Sequence, residues 1–78
     1  MKTKYIYKVV AVKNYKETLL YFSRSKIDVD YIAKKTWEFL TKEEKKQITI
    51  LVRRENFKKH LELGLSSYGE VIKKIEHK

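Results

Sequence analysis

A run of β-forming residues near the start of the chain constrains the fold most. Residues 4–13 are KYIYKVVAVK, and tyrosine, isoleucine and valine suit the pleated surface of a strand. Alternation places Tyr5, Tyr7 and Val9 on one face, while the opposite face is also largely apolar. Such a strand is either central in its sheet or covered on one face by a partner chain. We predict that it lies between the second and third strands.

A hairpin and a helix are predicted to follow this strand. Residues 18–25 (TLLYFSRS) form a second β run, and residues 14–17 between the two runs predict a hairpin turn. Ser25 and Asp28 match a helix-capping pattern. The helix that follows carries one apolar stripe, which we expect to pack on one face of the sheet. The stripe comprises Val29, Ile32, Ala33, Trp37 and Leu40.

Two aromatic residues of this helix are expected to differ in their surroundings. Trp37 lies on the apolar stripe, so we predict that it packs in the core. Phe39 lies off the stripe, which indicates either an exposed contact or packing under the turn at Thr41. The sequence Thr41-Lys42-Glu43-Glu44 repeats the capping pattern and predicts a break in the helix, followed by a short extra turn through Gln47.

The second half of the chain predicts two further strands around a short helix. Residues 48–54 (ITILVRR) alternate as in a half-buried strand, and residues 57–63 predict a second helix ended by Gly64. Residues 70–75 (EVIKKI) are typical of an edge strand or of the start of a C-terminal helix. The predicted fold is α+β, with a small antiparallel sheet, the main helix on one sheet face and the order β-β-α-β-(α)-β.

Length and composition indicate a domain that depends on its apolar core. We expect residues 1–78 to form a single small basic domain, since a chain of 78 residues has room for one. The absence of cysteine excludes disulfides and thiolate zinc sites, and it favours a cytoplasmic location. Lysines interrupt the first 16 residues, so we expect no export signal and no membrane association.

The positive charge is concentrated in the predicted hairpin. The net charge is +9; residues 1–24 contain 6 basic and 1 acidic residues, whereas residues 25–41 contain 3 of each. Residues 42–62 add three further positive charges, 7 basic against 4 acidic. A field of this sign attracts nucleic acid, acidic proteins and anionic lipid. The first helix is therefore neutral, and the excess lies on the hairpin and around the third strand.

Basic and tyrosine residues interleave in a way that favours nucleic-acid binding. Lysine and arginine neutralise phosphates, and exposed tyrosine rings stack on unpaired bases. Neither a helix-turn-helix nor the aromatic strand signature of common RNA-binding domains is present. We expect a non-catalytic protein that binds nucleic acid through Lys4, Lys8, Lys13, Tyr15, Lys16, Tyr21, Arg24, Arg53, Arg54, Lys58 and Lys59.

Two alternatives to nucleic-acid binding follow from the same sequence. The first is a protein-interaction module or homodimer, which would dock the two-sided apolar strand or the basic face on another chain, such as an acidic protein. The second is a metal-free ribonuclease, in which His60 transfers a proton while Arg53 or Arg54 stabilises phosphate charge.

Other chemistry is not supported by residue spacing. The only histidines, His60 and His77, lack metal-ligand spacing, and we expect both to be exposed. The two glycines form no phosphate-binding loop, and no serine lies in a glycine-flanked nucleophile turn. We assign no catalytic residue, cofactor or metal.

One segment supports a resemblance to other proteins. Residues 37–46 (WEFLTKEEKK), followed by the strand that begins at Ile48, resemble a pattern in small uncharacterised α+β proteins of Firmicutes and their phages. In those proteins a hairpin precedes a tryptophan-containing helix and a leucine-threonine capping box, and some close with a strand like Gly69-Glu70-Val71-Ile72. The resemblance covers residues 5–75 and implies an α+β fold and a bacterial or phage origin, without implying an activity.

Overall fold

The computed structural model describes residues 4–63 and 69–77, and within them the chain forms one antiparallel sheet of four strands with three helices. The strand order in the sheet is β2-β1-β3-β4. This confirms the α+β class. The observed order is β-β-α-α-β-α-β, because the predicted extra turn is a helix of its own. The elements are β1 (Tyr5–Lys13), β2 (Lys16–Ser23), α1 (Lys26–Phe39), α2 (Lys42–Gln47), β3 (Ile48–Asn56), α3 (Phe57–Leu63) and β4 (Glu70–Ile75).

The central position predicted for β1 is confirmed. It pairs with β2 on one side and with β3 along its whole length on the other. On one sheet face Val9 and the β3 residues Ile50 and Val52 pack against Val29 and Ala33 of α1, and all five are completely buried. Burial of this apolar surface is the main force that holds α1 on the sheet.

The predicted helix boundaries are also confirmed. The Ser25 hydroxyl accepts a hydrogen bond from the Asp28 N–H, and α1 ends where Leu40 turns back to extended backbone. A complete capping box between Thr41 and Glu44 begins α2. Trp37 packs against the core, as predicted, whereas Phe39 is 86% exposed. None of the helices in the described ranges is long and apolar enough to cross a bilayer.

A β-bulge in β2 changes which side chains share a face. Val9 pairs with Tyr21 and Val10 with Leu19, so Leu20 is the extra residue without a partner in β1. Alternation is therefore interrupted at Leu20. As a result Leu19 joins the sheet face opposite α1, and a sequence pattern that assumes unbroken alternation assigns it to the wrong side.

The short helix α3 covers part of the face opposite α1. It follows β3 directly, and the Phe57 N–H donates to the Lys4 carbonyl at 2.9 Å. The His60 ring lies 5.8 Å from the Phe22 ring and 6.2 Å from the Phe57 ring, measured between centroids. The prediction that His60 is exposed is therefore wrong, because α3 turns this ring toward the sheet. His77 is exposed, as predicted.

The end of the chain adopts the strand rather than the helix alternative. Residues Glu70–Ile75 form β4 at the edge of the sheet, paired with β3. The helix predicted at residues 57–63 is confirmed as α3. Its predicted terminator, Gly64, lies outside the described residues.

Gly69, which leads into β4, requires glycine. Its φ is +119°, and a Cβ atom there would lie 2.9 Å from the Arg54 carbonyl oxygen. We expect Gly69→Ala to lower the free energy of unfolding by about 1–3 kcal/mol, because alanine is strained at this φ and would displace β4 from β3. Urea unfolding measures the effect, with Lys73→Ala on β4 as a control that should change stability by less than about 0.5 kcal/mol. Equal losses in both variants would contradict the expectation.

Candidate nucleic-acid interface

The basic residues predicted to bind nucleic acid lie at two ends of the sheet. Lys13, Tyr15 and Lys16 are at the turn between β1 and β2, which we call the hairpin tip. Lys4, Arg24, Arg54, Lys58 and Lys59 lie toward the opposite end, whereas Arg53 lies opposite Lys8 in the middle of β1 and its side chain reaches Glu17, the neighbour of Lys16. The nine residues of β1 span about 26 Å at 3.3 Å per residue between the tip and the opposite end, and Arg53 lies between the two. Most of the predicted residues therefore fall into two groups at the two ends of the sheet.

Lys8 is not a surface residue, which corrects the sequence prediction. Its side chain is 0% exposed and forms an ion pair with the Glu55 carboxylate, itself 3% exposed. Both side chains lie on the sheet face opposite α1, beneath α3 and beside His60. Tyr21 is half-buried against the core that α1 covers. Lys8 therefore does not present its ammonium group to a ligand, and Tyr21 is only partly exposed.

The two arginines of β3 connect elements of the protein itself. Arg53 pairs with Glu17, and its Nη1 donates to the Gly69 carbonyl at 2.7 Å. Arg54 pairs with Glu70 and lies 4.5 Å from the centre of the Tyr5 ring. Both guanidinium groups therefore join β3 to neighbouring elements, and their charges are already matched.

Arg24, Lys4, Lys58 and Lys59 are exposed at the end opposite the tip. The Arg24 guanidinium lies 5.1 Å from the centre of the Phe57 ring, a cation–π contact that ties the end of β2 to α3. Among the described residues none of these four cations has a carboxylate at ion-pair distance. These four cations remain available to an anion. The surface between them also carries the paired carboxylates and arginines described above, so its positive charge is partly matched already.

The hairpin tip is a two-residue turn with an unusual second residue. Asn14 has φ +52° and Tyr15 has φ +63°, and positive values at both positions define a type I′ turn. Such turns favour glycine at the second position, and a left-handed conformation costs a residue with a Cβ about 1–2 kcal/mol. The Tyr15 ring is fully exposed, so burial within the protein does not offset this cost.

A groove adjoins the turn on the α1 side of the hairpin. Its volume is about 630 Å³, and it has an apolar floor with two lysines at its rim. The residues that line it are Ala11, Lys13, Asn14, Lys16, Thr18, Leu20 and Ile48. The bulge places Leu20 on this side of the sheet. Ile48 lies on the same side because it pairs with Lys13 in the sheet. The sequence predicted the two lysines as ligand contacts. It did not predict the apolar floor, because no local pattern predicts the bulge.

The two lysines at the rim are free to bind an anion. Neither Lys13 nor Lys16 has a carboxylate at ion-pair distance in the part of the chain that the structure describes. The charge of Lys13 acts on Glu44 of α2. The pKa of Glu44 is lowered chiefly by the hydrogen bond from the Thr41 N–H and to a smaller extent by the charge of Lys13. The tip therefore combines unmatched positive charge, an apolar floor and an exposed ring.

Comparisons of the chain with models of protein families, with curated proteins and with solved structures each find no match.

Proposed function

We propose that this protein binds single-stranded nucleic acid at the hairpin tip. The observation that carries the proposal is Tyr15, an exposed aromatic ring held in a conformation that costs stability and contributes no packing. Backbone strain of this kind persists mainly at functional positions. Stacking of an aromatic ring on an unpaired base contributes about 1–3 kcal/mol, which is comparable to the cost of the turn.

The groove beside the turn extends this contact. A base next to the one stacked on Tyr15 can lie on the apolar floor formed by Leu20 and Ile48, while Lys13 and Lys16 neutralise the flanking phosphates. Stacking and phosphate contacts are shared by all sequences. We therefore propose that binding at the tip has little sequence preference and favours unpaired strands, whose bases are free to stack.

A second surface favours the alternative of a protein partner. On the face opposite α1, Val12, Leu51 and Val71 line a groove of about 390 Å³ with Thr49 and Lys74. Association of two copies at this groove would bring together two chains of charge +9, and repulsion opposes such a dimer at low salt. Charge repulsion does not oppose the binding of a polyanion at the tip, so nucleic-acid binding is the better-supported proposal.

The salt dependence of binding tests the proposed function. Fluorescence polarisation with a labelled single-stranded oligonucleotide should show log affinity falling with log salt, by about 0.7 per phosphate contact. The variant Lys13→Gln/Lys16→Gln should reduce the slope by about 1.4, because it removes two contacts. The variant Lys34→Gln/Lys73→Gln changes the net charge equally but lies away from the tip. Equal effects of both variants, or binding without salt dependence, would refute the proposal.

A further inference from the structure

A cluster of rings and an arginine lies where the end of β2 meets α3. The Phe22 ring is 42% exposed and lies 5.8 Å from the His60 ring, measured between centroids. Phe57 lies on α3 beside His60, and the Arg24 guanidinium is 5.1 Å from the centre of the Phe57 ring. His60 is buried, with its Nδ1 3.9 Å from the Glu55 carboxylate, so it supports the cluster from below. We call these four residues, Phe22, Arg24, Phe57 and His60, the Phe22 cluster.

The cations at this cluster are free to bind phosphate. A guanidinium that stacks on a ring keeps its N–H donors in its own plane, where they fit a phosphate group. Lys58 follows Phe57 in α3, and the Lys4 carbonyl accepts the Phe57 N–H. In the described part of the chain Arg24, Lys58 and Lys4 have no carboxylate at ion-pair distance. The cluster therefore combines an exposed ring with unmatched positive charge, as the hairpin tip does.

The distance from the tip to the cluster corresponds to a short length of nucleic acid. In the sheet Lys16 pairs with Lys13 and Phe22 pairs with Lys8, five residues earlier in β1, which is about 17 Å at 3.3 Å per residue. A strand with stacked bases advances about 3.4 Å per nucleotide, so about five steps cover this distance. One strand of about six nucleotides therefore reaches from the tip to Phe22.

The outer edge of β2 offers a path between the two contacts. β2 has a neighbouring strand on one side only, so its other edge is open among the described residues. Residues 18–24 contain no acidic residue, and Leu20 within them is 45% exposed. Glu17 precedes this segment, and its charge is matched by Arg53. Unmatched negative charge on β2 therefore does not oppose a polyanion along this edge.

We propose that a single strand bound at the hairpin tip continues along β2 to a second contact at the Phe22 cluster. There one base stacks on Phe22 and Arg24 binds a phosphate, with Lys58 close by. This inference rests on the proposed function, because the tip supplies the first contact. Binding at the second contact is then intramolecular, so a strand long enough to reach both binds more tightly than a short one. The ligand is thus an unpaired segment of about six nucleotides or more.

A thymidine trinucleotide and a thymidine dodecanucleotide test the proposal, because two stacked steps cover only about 7 Å and do not reach from the tip to Phe22. In amide NMR titrations at low salt, the trinucleotide should shift signals of the tip alone. The dodecanucleotide should also shift those of Phe22, Arg24, Phe57 and Lys58. Tip shifts without cluster shifts in the dodecanucleotide titration would overturn this inference and leave the proposed function standing. The absence of tip shifts with both ligands would overturn both.

A charge variant isolates the second contact. Arg24→Gln/Lys58→Gln should weaken binding of the dodecanucleotide about 10-fold or more and reduce its salt slope by about 1.4, because two phosphate contacts are lost. Binding of the trinucleotide should stay unchanged. Lys34→Gln/Lys73→Gln removes the same charge on α1 and β4, so its effect on the dodecanucleotide should be smaller. Equal weakening of both oligonucleotides by Arg24→Gln/Lys58→Gln, or an equal effect of the control, would refute the second contact.

The variant Phe22→Leu tests the ring itself. Leucine keeps an apolar side chain against His60, and circular dichroism checks that the variant is folded. It should bind the dodecanucleotide about 5-fold more weakly or less tightly still, because leucine offers no ring on which a base stacks. Its affinity for the trinucleotide should equal that of the wild type. Wild-type affinity of folded Phe22→Leu for the dodecanucleotide would refute stacking at Phe22.

Discussion

Glu55→Gln is expected to lower the free energy of unfolding by about 3–5 kcal/mol, because it leaves the Lys8 ammonium group buried without a counter-ion. Lys8 is completely buried, and its observed ionic partner is the Glu55 carboxylate. A domain of this length has a total stability of about 4–12 kcal/mol. The variant should therefore be close to unfolding at room temperature, as measured by circular dichroism in urea.

The matched control removes both charges. Lys8→Met/Glu55→Leu places apolar side chains of similar length at the two positions, and we expect its stability to be within about 1 kcal/mol of the wild type or higher. The comparison separates the cost of an orphaned charge from the cost of altered packing. A loss below about 1 kcal/mol in the single variant would show that water reaches Lys8, and would contradict the burial described above.

Tyr15→Gly is expected to change stability and binding in opposite directions. Glycine adopts positive φ without strain, and asparagine-glycine is the pair that type I′ turns prefer, so we expect the free energy of unfolding to rise by about 0.5–1 kcal/mol. Loss of the stacking ring should weaken binding of single-stranded oligonucleotides by about 5- to 150-fold, which corresponds to about 1–3 kcal/mol. Thermal unfolding and fluorescence polarisation measure the two effects.

A control for the loss of an aromatic ring is available on α1. Tyr31 is exposed, with the Lys35 ammonium group 5.6 Å from its ring centre, so it resembles Tyr15 in chemistry but lies on another element. Tyr31→Ala should leave oligonucleotide affinity unchanged. An unchanged affinity in Tyr15→Gly, or an equal loss in both variants, would contradict a specific role of Tyr15.

Local patterns in the sequence predict much of this fold. The two apolar faces of β1 predict its central position, and the capping patterns at Ser25 and Thr41 predict where α1 and α2 begin. Each of these features depends on neighbours within a few residues along the chain. The buried pair of Lys8 and Glu55 depends instead on the register between β1 and β3, which joins residues 47 positions apart. A lysine in an alternating strand is normally exposed, so the sequence offered no local signal of the pair.

In the candidate site, too, features that depend on residue type could be predicted, whereas features that depend on contacts between distant residues could not. Lys13, Lys16 and Tyr15 were predicted as ligand contacts from residue type alone, and the structure places all three at the tip. A count of charges along the chain contains no information on distances between residues, so it could not show that Glu17 and Glu70 engage Arg53 and Arg54. The groove beside the tip could not be predicted either, since it requires the bulge at Leu20.

An amide NMR titration with a single-stranded oligothymidylate at low salt tests the proposed interface most directly. We expect the largest shifts at residues 11–20 and at Ile48, which form the hairpin tip and its groove, and we expect these shifts to disappear as salt is added. Signals of residues 11–20 that stay unchanged in the presence of excess oligonucleotide would contradict binding at the tip.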